Sequence, residues 1–281
     1  MKLEEIDIDS CIPFNGNPFK VKDDFDMELL VQSILDYGIL FPIMVRPLEN
    51  GKYEIVSGHR RMHACRKAGI EKIPAFIRPM SRDEAVIMMV DSNLQRECLF
   101  PSEKAFAYKM KMDALKRQGK RTDLTSDRLG PKLTAAEISD NDSATQVKRY
   151  IRLTYLIPEL LALADEGRIA MNPAVELSYL PEETQRAVYD YYTENEVTPS
   201  YSQANQLKKR SAEGTLTPET MLQILDQPKA NQVEMFRIPL ERIRPFFGPR
   251  VPKEKMLDVI VKALEYYAKA QERKRNSRDA R

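Results

Sequence analysis

Apolar positions in the first hundred residues follow two rhythms. Short apolar runs at residues 41–46 and 53–56 have strand character, and Glu49, Asn50 and Gly51 between them supply a tight turn. A third strand is predicted over residues 73–77. Leu29, Leu30, Ile34 and Leu35 recur at helical spacing over residues 27–37, with Gly38 placed to end the helix. Two more helices are predicted at 60–67, closed by Gly69, and at 82–93. Strands interleaved with helices predict a small α/β domain over residues 1–100.

Beyond Pro101 the strand rhythm nearly vanishes. Residues 102–118 read as a helix with Glu103 near its start, and the polar, glycine- and proline-bearing stretch 119–131 reads as a loop. Short helices follow to about residue 209, so 101–210 is expected to be a helical domain. Residues 211–218 look like a linker, 236–240 like a short strand, and 253–275 like a helix. The fold class is therefore α+β: an α/β N-terminal domain, an all-α domain, and a C-terminal segment over 211–281.

Composition narrows the classes of function. Of 281 residues, 42% are hydrophobic and 31% charged, enough to build a core and too apolar for a disordered chain. No apolar run is long enough for a membrane span, and the first residues lack the pattern of a signal peptide, so a cytoplasmic protein is expected. Cys11, Cys65 and Cys98 stand far apart without a CxxC pair, which fits a reducing compartment. Net charge is only +2, but residues 116–152 hold nine Lys/Arg against five Asp/Glu, and residues 269–281 hold six against two. Local basic surface, rather than net charge, is what phosphates meet.

The first basic stretch contains a candidate helix-turn-helix over residues 134–155. Residues 134–139 suit a short helix, Asp140-Asn141-Asp142 a polar turn, and Ser143 an N-cap for a second helix over 144–155. Val147, Tyr150 and Ile151 fall on one face of that helix; Thr145, Gln146, Lys148, Arg149 and Arg152 lie around the other. Arg and Gln read bases bidentately in a major groove, while Lys and Thr meet phosphates. On these residues alone, an ordinary amphipathic helix with a solvated basic face fits equally well.

A second constellation lies in the first domain. A strand running into Ser57-Gly58, followed by a helix carrying Arg60 and Arg61, makes an anion site: glycine permits close approach, the helix N-terminus offers unpaired N–H groups, and arginines add charge. Asn93, Gln95 and Arg96, at the end of another helix, would complete a polar triphosphate pocket. The competing reading is that Arg60 and Arg61 form structural ion pairs. His59 and His63, spaced i, i+4, make a poor zinc pair beside two arginines.

These motifs resemble those of the ParB partition family. The segment from Val56 through Ser57, Gly58, His59, Arg60, Arg61, Met62 and His63 to Ala64 is similar to its GERR box. Ser92-Asn93-Leu94-Gln95-Arg96-Glu97-Cys98-Leu99, followed by Pro101 and Glu103, is similar to its ENxQRxxL segment. The resemblance extends over roughly residues 6–209 and includes the helix-turn-helix at the expected distance. It implies a ParB/sulfiredoxin-like first domain that binds CTP through Gly58, His59, Arg60, Arg61, Asn93, Gln95 and Arg96, with Asn93 facing any Mg²⁺. It further implies a homodimer that closes as a clamp on a parS-like double-stranded DNA site, nucleoid-associated, with a ParA-type ATPase as partner. Two alternatives remain: a plain helix-turn-helix regulator of a plasmid or integrative element, and a nuclease on the same scaffold.

Two positions depart from the family pattern. His59 stands where Glu is usual. Ser92 stands where the family has an acid, and a serine hydroxyl is a poor Mg²⁺ ligand alone, so bound CTP is expected to turn over slowly. Asp91 would substitute only if the helix register shifted by one residue.

Overall fold

The computed structural model describes residues 2–96, 98–123, 138–139, 142–228, 240–248 and 251–279. They form two compact units, Met1–Gln227 and Pro228–Arg281.

The first unit begins with a five-stranded mixed sheet of order β1-β5-β3-β4-β2. Its strands are β1 (Lys2–Asp7), β2 (Cys11–Ile12), β3 (Ile43–Pro47), β4 (Tyr53–Ser57) and β5 (Lys72–Ile77). β1 runs antiparallel to β5, β3 parallel to β5 and antiparallel to β4, and β2 parallel to β4. The expected β3–β4 hairpin turns through Gly51 at φ 73°, with Asn50 Oδ1 accepting from the Lys52 N–H at 3.1 Å. β1 and β2 were not expected. Lys2-Leu-Glu-Glu-Ile-Asp has too many acids to read as a strand, and two-residue β2 has no period at all.

Alternate strand residues feed two cores, as the pleat requires. Ile43, Val45, Ile55, Ile73 and Ala75 pack with Met27 and Ile34 of α1 (Phe25–Tyr37) and Met62, Ala64 and Cys65 of α2 (His59–Lys67). Val56, on the other face, packs with Ala85, Val86, Met89 and Val90 of α3 (Arg82–Leu94) and Ala107 and Ala114 of α4 (Pro101–Asp123). Residues 119–123, expected to be loop, continue α4. One glycine costs a long helix only about 1 kcal/mol, and the Lys and Arg after it are good helix formers.

Six further helices follow among the described residues of the unit: α5 (Ala144–Leu153), α6 (Pro158–Asp165), α7 (Met171–Leu177), α8 (Glu182–Asn195), α9 (Tyr201–Ala212) and α10 (Pro218–Leu225). Leu153, Leu160, Leu177, Val188, Leu207 and Ile224 form their shared core. Gln185 stitches its loops, accepting from the Ile157 N–H at 2.9 Å and donating to the Tyr155 and Leu180 carbonyls. The α+β class, a mixed sheet with its helices followed by an all-helical part, follows the sequence reading.

The second unit contains α11 (Leu240–Ile243) and α12 (Lys253–Asp279). The strand expected at 236–240 falls outside the described residues up to 239, and Leu240 is helical. The first helix of the helix-turn-helix, residues 134–137, and turn residues 140 and 141 also lie outside them.

Candidate nucleotide and DNA sites

Strand β4 delivers Gly58 to the start of α2. Its φ of 99° is left-handed, and a Cβ there would lie 2.7 Å from Ile43 Cγ2, so both backbone shape and space select glycine. No side chain caps α2, which leaves its first N–H groups to an outside acceptor. Arg60 extends from this turn to within 3.5 Å of Asp24 Oδ1. Beside it lies a cavity of about 350 Å³ lined by Lys20, Lys22, Asp24, Asp26, Arg60, Arg96, Cys98, Phe100 and Glu103. Four of those nine side chains are cations.

Its walls are braced from several elements. Glu103, buried in the first turn of α4, accepts from the Lys20 N–H at 2.8 Å through Oε1 and from the Phe100 N–H at 3.0 Å through Oε2. Lys22 lies 3.9 Å from the Phe100 ring centroid. Burial, then the neighbouring Arg60 charge, lower the Arg96 pKa, while Glu103 opposes them. Two like charges held together favour an anion between them.

The remaining expected residues separate into different roles. His59 accepts from the Phe14 N–H at 3.4 Å through Nε2, an arrangement that places its ring proton on Nδ1. Burial, then the Arg96 charge, push its pKa down to about 4, so it is neutral near pH 7. Arg61 turns away from the cavity: its guanidinium donates to the Phe41 carbonyl and, at 2.6 Å, to that of Pro42. Asn93 is buried and donates to the Met89 carbonyl at 2.8 Å. Gln95, Ser92 and Asp91 line a different cavity with Arg78, Glu84, Ile87, Met88 and Gln118. Asp91 pairs there with Lys111 at 2.6 Å, and Ser92 donates to the Met89 carbonyl. Thus Arg60 and Arg96 are brought together on one cavity, while Gly58, His59, Arg61, Asn93 and Gln95 are not among the residues lining it.

Sequence reasoning missed Lys20, Lys22 and Phe100. Both lysines stand just before Asp23 and Asp24, so the stretch read only as a mixed-charge loop. The loop is fixed to α2 by Asp23, which meets His63 at 2.8 Å and Lys67 at 2.9 Å. His59 and His63 therefore serve different partners. Among the described residues, no three His, Cys, Asp or Glu side chains gather as a metal site.

In the second part of the unit, Ser143 caps α5, accepting from the Gln146 N–H at 3.3 Å. Val147 is fully buried; Thr145 and Lys148 are exposed; Gln146 and Arg149 are half-buried. The turn before α5 is fastened to α4. Asp142 accepts from the Tyr108 hydroxyl and, at 3.2 Å, from Lys104 Nζ, while its N–H donates to Ser139 Oγ. Burial and the Asp142 carboxylate raise the Tyr108 pKa, which keeps its proton in place. Arg149 donates to Asn172 Oδ1 at 2.6 Å. Arg152 donates to Ser178 through Nε, at 3.0 Å to Oγ, and through a terminal nitrogen, at 2.6 Å to the carbonyl.

Residues 1–94 match the family described as the ParB N-terminal domain. The chain carries a ParB N-terminal domain. Among curated relatives, a probable chromosome-partitioning protein ParB from Coxiella burnetii is 33% identical over 175 residues, 62% of this chain and 54% of that protein. A nucleoid occlusion protein from Bacillus thuringiensis is 40% identical over 107 residues, 38% of this chain and 37% of that protein. The chain therefore spans about half, or less, of the curated relatives it matches. Among solved structures, C-terminally truncated ParB from Caulobacter crescentus complexed to the centromeric parS site is 23% identical, with a TM-score of 0.45, over 74% of this chain and 99% of that one. Among the described residues, no helix is long and apolar enough to cross a membrane.

Proposed function

We propose that this chain is a sequence-specific DNA-binding protein of the ParB type that binds a nucleoside triphosphate beside α2 and uses it to close on DNA. The observation that carries this reading is the cluster of Lys20, Lys22, Arg60 and Arg96 around one cavity next to the uncapped helix start at Gly58. That donor set suits a chain of phosphates. CTP is the nucleotide implied by the family resemblance, and Mg²⁺ would neutralise part of its charge when bound. Arg60 and Arg96 would hold phosphate oxygens, the α2 N–H groups would receive another, and Lys22 would enter from the loop. Thr145, Gln146, Lys148 and Arg149 form the face offered to a parS-like duplex. Pairing of two copies through α12, and a ParA-type ATPase acting on the nucleoid-bound complex, complete the proposal.

Titration calorimetry with CTP, and with ATP, GTP and UTP as comparators, tests the nucleotide part. Wild-type protein is expected to prefer CTP, and Arg60→Ala to lose binding while its folded content is unchanged. Absence of CTP binding with DNA binding intact would establish the plain regulator instead. Cleavage of supercoiled plasmid by the purified protein would favour the nuclease. One observation favours binding with slow turnover: Ser92 and Asp91 lie on a cavity apart from Arg60 and Arg96, so no carboxylate at those positions faces the phosphates.

A further inference from the structure

The outward face of α5 does not end at the helix. Arg152 lies with its Cζ 4.4 Å from the Tyr155 ring centroid and 3.9 Å from that of Tyr179. Beyond Tyr179, Lys208 of α9 sits 4.0 Å from the same centroid. Beyond Tyr155, Lys109 of α4 sits 5.2 Å from that ring and donates to Thr154 Oγ1 at 3.4 Å. Cations and rings thus alternate in one row, Lys109, Tyr155, Arg152, Tyr179, Lys208, drawn from α4, α5, α9 and the residues after α5 and α7. Both tyrosines are about half exposed, so the row is at the surface.

Such a row has two ordinary uses, and the geometry separates them. Exposed aromatics beside cations commonly stack the bases of a single strand. Here each ring is already covered by two of the protein's own cations, which leaves its face unsuited to a base. The cations, in contrast, retain donors. Arg152 uses two of its five N–H groups on Ser178, and Lys208 meets one carboxylate oxygen, Glu176 Oε2 at 2.9 Å. The row is continuous with Lys148 and Arg149 one turn earlier on α5.

We propose that Lys109, Arg152 and Lys208 form a phosphate track for double-stranded DNA, extending the duplex footprint beyond α5 onto α4 and α9. This rests on the DNA-binding reading above. Arg152, held between the two rings by Ser178, offers its remaining N–H groups to the backbone midway along the row. Phosphate contacts carry no base information, so their loss weakens all sequences alike.

The test measures affinity against salt for a duplex enriched from random sequence by the wild-type protein, and for a scrambled duplex of equal length. Each phosphate contact contributes about 0.9 to the slope of log K against log salt. Lys109→Gln with Lys208→Gln is expected to reduce the slope by about 0.9 per lysine on both duplexes. Lys208→Arg, which keeps the charge and the Glu176 contact, should restore its share. An unchanged slope in the double variant overturns the track. Equal competition by the single strand overturns the assignment to duplex. Wild-type protein that enriches no duplex would overturn the DNA-binding reading itself, and this track with it.

Discussion

His59 stays neutral in the folded protein because burial and Arg96 both oppose a second charge, which takes its pKa from 6.5 down to about 4. In the unfolded chain the same ring titrates near its ordinary value. Between those two values the unfolded state binds a proton that the folded state does not, so stability falls as pH drops through the window. The loss is about 3 kcal/mol across it, complete near pH 4, and none of it arises above pH 6.5. His59→Gln keeps an acceptor within reach of the Phe14 N–H and removes the titration. Urea denaturation at neutral pH and near pH 4 should show the variant losing less stability than the wild type. Equal losses in both would mean that the ring does not carry this burden. The glutamate that is usual in the family would place an anion beside Arg96, whereas neutral histidine adds none to the carboxylates of Asp24, Asp26 and Glu103 already on the cavity.

Helices α4 and α5 meet through charge and hydroxyl as well as packing. Tyr108 is almost wholly buried, edge-on to Tyr150 with ring centroids 5.8 Å apart, and its hydroxyl fastens Asp142 just before the Ser143 cap. Tyr108→Phe removes that donor from a carboxylate left with Lys104 and should cost about 1–3 kcal/mol. It should also weaken DNA binding, because the start of α5 loses its anchor; thermal melting and duplex titration on one preparation check both. The Ser143 cap itself was legible, since a small hydroxyl residue before a periodic run is a local signal. Helices α1 to α3, strands β3 to β5 and the inward face of α5 were legible for the same reason: each is written in consecutive residues. What the sequence concealed is non-local. Lys22 reaches Phe100, and Asp142 reaches Tyr108, across separations no short motif spans. Arg61 and Arg96 stand in equally convincing motifs, yet only packing sends one to the Phe41 and Pro42 carbonyls and the other to the cavity. Ser92 and Gln95 line a cavity apart from that of Arg96, since neighbours in one motif need not share a cavity.

At the scale of the whole molecule, the second unit presents an unusual helix. Leu257, Val261 and Leu264 recur at i, i+4, i+7 on α12, and each leucine is 62% exposed. Such a stripe suits pairing with the same stripe of another copy. On the proposed pairing, Leu257→Asp with Leu264→Asp should sediment as a monomer where the wild type sediments as a dimer, with folded content unchanged. A wild type that sediments as a monomer at high concentration would remove α12 from consideration. Within the first unit, α4 carries Glu103, which closes the cavity wall, and within the following turn and a half Lys104 and Tyr108, which hold the turn before α5. Two ligands biasing the setting of one rigid rod are bound by a thermodynamic cycle. Whatever factor the nucleotide applies to duplex affinity, the duplex must apply to nucleotide affinity. A rod with no play would make that factor one, and each binding event would then be blind to the other.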